Sequence, residues 1–254
     1  MSRETCYRCF WPKPLCWCPS ITPMETRTRF VFLMHPHEFK HEKAATGRLT
    51  HLCLANSELQ MGLAFDDQEA VQDIINDPRN LVMLVYPSVG ARNLSKGDLT
   101  PADIGDRRLV FFLLDATWAG AKKMLRLSPS LQRLPRVMFT PTAPSRYVIK
   151  QQPVVGCLST LETTHELLLA LQRSGLDSYP LPDQLLDLFA RMQAYQLQCA
   201  SDPNRTGYRR NPYSAPADRT RLGSRTEARR TRVLNLGDVS ATTAPTTPNP
   251  EPAA

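Results

Sequence analysis

Three short, uninterrupted apolar runs constrain this chain more than any other feature. They are residues 30–34 behind Arg29, residues 81–86 and residues 109–114. Each is too short for an ordinary helix, and each ends on a breaker: His35-Pro36, Pro87-Ser88 and Asp115. A strand with one wet face alternates apolar and polar residues. A strand that is apolar at every position has to be covered on both faces, which is the situation in a parallel sheet flanked by helices. Helical spacing of apolar residues occurs around 43–55, 67–76, 118–127, 160–173 and 183–199. The expected fold class is therefore α/β, with a mostly parallel sheet. No G-x-G-x-x-G follows a strand, so a glycine-rich dinucleotide-binding fold is disfavoured.

The N-terminus carries a second constraint. Cys6, Cys9, Cys16 and Cys18 are spaced C-x2-C-x6-C-x-C, close enough for four thiolates to saturate a tetrahedral zinc ion. The seven cysteines are an odd number, and Cys53, Cys157 and Cys199 lie in apolar surroundings. Those three read as buried free thiols, and the clustered four as a metal site rather than disulfides. The opening MSRETCYRCF has no apolar stretch of the kind a secretory signal needs. No run approaches the ~20 apolar residues of a membrane span. A cytoplasmic protein is expected, with no membrane contact and no obligate protein partner evident. His35, His37 and His41 sit close together, and single histidines are the better reading than a second metal site.

Charge is unevenly placed. Residues 203–234 hold nine arginines against Asp218 and Glu227, a surplus equal to the net charge of +7 for the whole chain. Such a segment attracts polyanions, nucleic acid above all, or else acts as a solvated tail. Residues 238–254 are a Thr/Pro/Ala-rich tract, expected to be disordered. The expected organisation is a cysteine module over 1–26, an α/β domain over 27–200 and a flexible tail over 201–254.

In open α/β sheets, ligands bind at the carboxyl ends of the strands. Two of the apolar runs end there in Tyr86-Pro87-Ser88 and Asp115-Ala116-Thr117-Trp118. Asp115 can cap the helix that starts near Trp118, or serve as a general base or ligand-binding carboxylate. Trp118 can stack on a base or pack in the core. Ser159-Thr160-Leu161-Glu162 matches a helix-capping pattern. Ser145 through Pro153 interleaves Arg146 and Lys150 with Tyr147, suited to phosphate contact and stacking, or to a solvated edge strand.

In this order, these motifs resemble the DTW-domain family, the tRNA-uridine aminocarboxypropyltransferases. The resemblance covers roughly residues 5–200. The family's D-x-T-W motif stands as Asp115, Ala116, Thr117 and Trp118. Its cysteine cluster matches Cys6, Cys9, Cys16 and Cys18, its S-T-x-E motif matches Ser159, Thr160 and Glu162, and its serine-tyrosine-basic-proline stretch matches Ser145, Tyr147, Lys150 and Pro153. One departure is Ala45-Thr46-Gly47, where relatives usually carry Asn-Thr-Gly.

The resemblance implies a SPOUT-like, possibly knotted, sheet. It also implies transfer of the aminocarboxypropyl group of S-adenosylmethionine to the imide nitrogen of a tRNA uridine in the variable loop. On that basis Asp115 is the expected base, with Glu162 second. Tyr86, Pro87, Ser88, Thr117, Trp118, Ser159 and Thr160 are expected to line the donor pocket, and Zn2+ to be structural. Lys40, Lys122, Lys123, Arg146, Lys150, Arg209 and Arg210 are expected to contact tRNA. The alternatives are a SPOUT-like RNA methyltransferase and a non-catalytic zinc-ribbon nucleic-acid-binding protein.

Overall fold

The computed structural model describes residues 4–41, 45–149 and 157–202. Among them six strands form one sheet: β1 (Arg29–Met34), β2 (Ser57–Met61), β3 (Asn80–Val85), β4 (Arg92–Asn93), β5 (Arg108–Asp115) and β6 (Arg136–Met138). Their spatial order is β2-β1-β5-β3-β6-β4, and every pairing is parallel. The three apolar runs are the three adjacent central strands, β1, β5 and β3.

Along these strands successive side chains point to opposite faces. Phe30, Phe32, Met83, Phe111 and Leu113 join one hydrophobic cluster. Val31, Leu33, Val82, Leu84, Val110 and Phe112 join the other. The first face is covered by α2 (Thr46–Cys53), α7 (Thr160–Arg173) and α8 (Gln184–Ser201), through Leu49, Leu168 and Phe189 among others. The second is covered by α3 (Glu69–Asn76), α5 (Trp118–Arg126) and α6 (Pro129–Gln132), through Val71, Met124 and Leu131. Burying one such side chain is worth roughly 1.5–3 kcal/mol, so the two faces together provide most of the driving force for the fold. Two shorter helices, α1 (Pro36–His41) and α4 (Pro101–Ile104), follow β1 and β4.

The cysteine module packs into the first cluster. Trp11 and Trp17 are buried in it, 5.1 Å apart and edge-on, with Tyr195 of α8 against Trp11 and the Arg191 guanidinium over Trp17. Cys53, Cys157 and Cys199 are all buried and in no disulfide. Burial pushes Cys53 up to about 12, which makes it inert. No described helix is long and apolar enough to cross a membrane.

Topology fixes where a ligand can enter. From β1 the chain runs through α2 on one face to β2. From β5, the neighbour of β1, it runs through α5 on the opposite face toward β6 on the other side. Adjacent strands whose connections leave in opposite directions open a crevice at their carboxyl ends. Met34 and Asp115 are register partners at that point.

Candidate active site

Asp115 closes β5 at this switch point, and only 6% of its surface is exposed. Its odd position in the strand aims it at the α2/α7 face, the side taken by Phe111 and Leu113. Thr160, the first residue of α7, donates its hydroxyl to Asp115 Oδ1 at 2.5 Å. The backbone of α2 lies on the other flank. A Cβ on Gly47 would stand 2.4 Å from Asp115 Oδ2, so glycine lets the helix approach this closely. Asp115 does not cap α5. Thr117 does, accepting from the Gly120 N–H at 3.2 Å. Capping of α5 thus falls to Thr117, and Asp115 stands at the strand end between α2 and α7.

Glu162 is differently placed. It accepts from Ser159 N and Oγ, completing a capping box on α7, and from Ser145 Oγ and Arg146 N. These bonds tie the 145–147 segment to the start of α7. Gln193 of α8 completes the tie, accepting from Val148 N and donating to Arg146 O. Tyr147 is buried edge-on against Phe189, 5.0 Å between centroids.

Tyr86 and Trp118 meet at the carboxyl ends of β3 and β5, with centroids 6.3 Å apart, and the Arg136 guanidinium lies over the Tyr86 ring. All three are half-buried. Tyr86 packs against the hydrophobic cluster of the second face, as do Leu114 and Ala116. Burial raises the Tyr86 phenol above its ordinary pKa, so the ring stays neutral. Pro87 and Ser88 continue the same rim, half-buried. The expected site residues thus fall into two groups around the strand ends: Asp115, Ser159, Thr160 and Glu162 toward α2/α7, and Tyr86 and Trp118 toward α5. His35 follows β1 between them, its Cδ2 3.6 Å from where a Gly120 Cβ would lie. Lys40, Lys122, Lys123 and Arg146 are exposed. Lys150, Arg209 and Arg210 lie outside the described residues, as does the side chain of His41.

Sequence reasoning missed Arg48. It is 5% exposed, two positions after Thr46 on α2, and its charge acts on Asp115 through space. The spacing of apolar residues in α2 gives no warning that a buried position there is charged.

The four cysteine sulfurs lie within 4.8 Å of one another, and among the described residues this is the group able to hold a metal ion. Cys6 to Cys18 is 3.8 Å and Cys9 to Cys16 is 3.7 Å. Those are far longer than a disulfide bond, about 2.05 Å. They match the roughly 3.8 Å edge of a tetrahedron with metal–sulfur bonds of about 2.3 Å. The donor set therefore fits a zinc ion. The backbone N–H groups of Cys9 and Arg8 hold the Cys6 thiol down at about 6, while burial pushes the Cys16 and Cys18 thiols up. Phe10 turns the loop with a left-handed φ of 60°.

Fold and site together define a doubly wound α/β protein, with a buried carboxylate at its switch point and a four-cysteine cluster able to hold a metal ion. The DTW domain family model matches residues 3–197, and the chain belongs to that family. It is 34% identical over 177 residues to tRNA-uridine aminocarboxypropyltransferase 2 of Drosophila melanogaster, covering 67% of each chain. To the mouse protein of the same name (Mus musculus) it is 30% identical over 203 residues, covering 77% of this chain and 64% of that one. To tRNA-uridine aminocarboxypropyltransferase A of Arabidopsis thaliana it is 24% identical over 202 residues, covering 68% of this chain and 74% of that one. The chain thus spans about two thirds of the length of the animal relatives. No solved structure shows significant similarity to it.

Proposed function

We propose that this chain is a tRNA-uridine aminocarboxypropyltransferase of the cytoplasm. It moves the 3-amino-3-carboxypropyl group of S-adenosylmethionine to the imide nitrogen of a uridine in the tRNA variable loop and releases methylthioadenosine. The imide N–H gives its proton to a carboxylate. The nitrogen then forms a bond to the donor's aminocarboxypropyl carbon, and the C–S pair stays on sulfur. The relatives' names support this class. The observation that carries the assignment of roles is Asp115, a carboxylate held at the switch point by Thr160 Oγ1 at 2.5 Å and walled by Gly47.

Asp115 is the base in this reading. Hydrogen bonding from Thr160 fixes its orientation, so a proton acceptor stands ready without reorganisation. Glu162 has its oxygens occupied by the capping box and the 145–147 segment, and acts by holding Thr160 and Tyr147 in place. Ser159 supports the same turn. Tyr86 and Trp118 offer aromatic faces to the adenine, with Pro87, Ser88 and Thr117 completing the rim. Lys40, Lys122, Lys123 and Arg146 take phosphates, as do Lys150, Arg209 and Arg210 beyond the described residues. The target base is turned out of its stack to reach the crevice. Zinc, held by Cys6, Cys9, Cys16 and Cys18, is structural.

Asp115→Asn keeps the shape beside Gly47 and removes the base. Transfer to tRNA, followed by mass spectrometry of nucleosides, is expected to fall about 10²-fold or more while tRNA binding stays near normal. Modified uridine forming at the parent rate would remove Asp115 from the role. Methylthioadenosine as the co-product separates this reaction from methyl transfer, which would leave S-adenosylhomocysteine.

A further inference from the structure

Arg48 is a buried cation with unused hydrogen-bonding capacity. Its guanidinium carbon lies 4.3 Å from the centroid of Phe10 and 4.8 Å from that of Phe39. Nη2 donates to the Phe39 carbonyl at 2.6 Å. Nε is buried and has no hydrogen-bond partner among the described residues. Leaving a charged donor unmade in the interior is costly, and native proteins rarely do so without a reason.

The arrangement around Arg48 is that of a receptor. Aromatic rings from the cysteine loop and from α1 contact the guanidinium, and favour the cation without using its N–H groups. Nη2 is already engaged by the Phe39 carbonyl, so Nε is the buried donor left for a ligand, and a carboxylate is the group a guanidinium binds best. Asp115, the carboxylate whose charge Arg48 feels most strongly, marks the same end of the sheet.

We propose that Arg48 binds the carboxylate of the group being transferred and thereby determines which carbon of the donor is presented. This rests on the donor assigned under Proposed function. In methyl transfer the amino-acid arm stays on the leaving sulfur and carries no reacting atom. In aminocarboxypropyl transfer the reacting carbon lies on that arm, and an anchor at its far end sets its direction toward the acceptor.

The test uses the full chain and isothermal titration with two probes, S-adenosylmethionine and its decarboxylated analogue, which lacks only the carboxylate. The parent protein is expected to bind the first about ten- to a hundredfold more tightly, the worth of a charged hydrogen-bonded pair. Arg48→Gln is expected to lose that preference by weakening the first probe and leaving the second unchanged. Arg48→Lys, which keeps the charge and loses the guanidinium, should fall between. Equal affinity of the parent for both probes overturns the proposal without any variant. So does a preference that survives in Arg48→Gln, or an equal loss for both probes. A parent protein that binds neither probe overturns the donor assignment itself, and this proposal with it.

Discussion

On the α2/α7 face of the sheet, hydrogen bonds join Asp115 to Thr160, and Ser159 and Ser145 to Glu162, mostly out of solvent. On the opposite face Tyr86, Trp118 and Arg136 touch through ring faces and remain half open. The first arrangement fixes atoms in place, because Thr160 and Glu162 have committed partners and moving one strands another. The second presents planes that a flat ligand can cover without breaking any bond. One strand end thus carries a rigid polar side and an accommodating aromatic side. Substitutions on the first should register in stability, and those on the second in substrate affinity.

The comparison is broken most severely from the polar side by removing the zinc proposed for the four cysteines. Trp11 and Trp17 share the core cluster with α8, so the cysteine module is part of that face rather than an ornament. Chelation in excess is expected to cost on the order of 5 kcal/mol in denaturant unfolding. Glu162→Ala comes next. It strands Ser159 N and Arg146 N, at about 1–3 kcal/mol for each buried donor, and should lower the unfolding midpoint with the slope unchanged.

Trp118→Ala sharpens the contrast from the other side. It should raise KM for S-adenosylmethionine about tenfold, in the range of base–aromatic stacking, with a smaller stability loss than Glu162→Ala. The smallest effect is on pH dependence. Burial lowers the pKa of His51 and of His165, the latter hydrogen-bonded to Tyr179. The unfolded chain therefore takes up protons near the ordinary value of 6.5 that the folded chain refuses. Stability should be complete above that pH and decline as pH falls through it. His51→Gln combined with His165→Gln should flatten the decline in melts between pH 7 and 5.

The central strands were legible because two-sided burial writes itself as uninterrupted apolar sequence. β2 and β4 were not, because as edge strands they need no such coverage: β2 reads Ser-Glu-Leu-Gln-Met and β4 is two residues long. β6 lies inside the sheet but has only three residues behind a proline, too few to form a pattern. The helices over 160–173 and near 69–76, 118–126 and 184–201 followed from apolar spacing and, for α7, from the Ser159–Glu162 capping pattern. Asp115 and the cysteines were legible because a strand end and a thiol spacing are local signals. Arg48 was not, because its burial depends on Phe10 and Phe39, which only the folded chain brings to it. The division of the site between two faces of the sheet was likewise hidden. It follows from the parity of β5 and β3, and a list of motifs carries no parity.

Gly47 gives the position next to Asp115 an alphabet of one letter. Even alanine's methyl would overlap the carboxylate, 2.4 Å from Oδ2, so the space between helix and acid is a keyhole cut for hydrogen alone. A lineage that keeps this chemistry has no neutral drift available there, whatever freedom its neighbours enjoy.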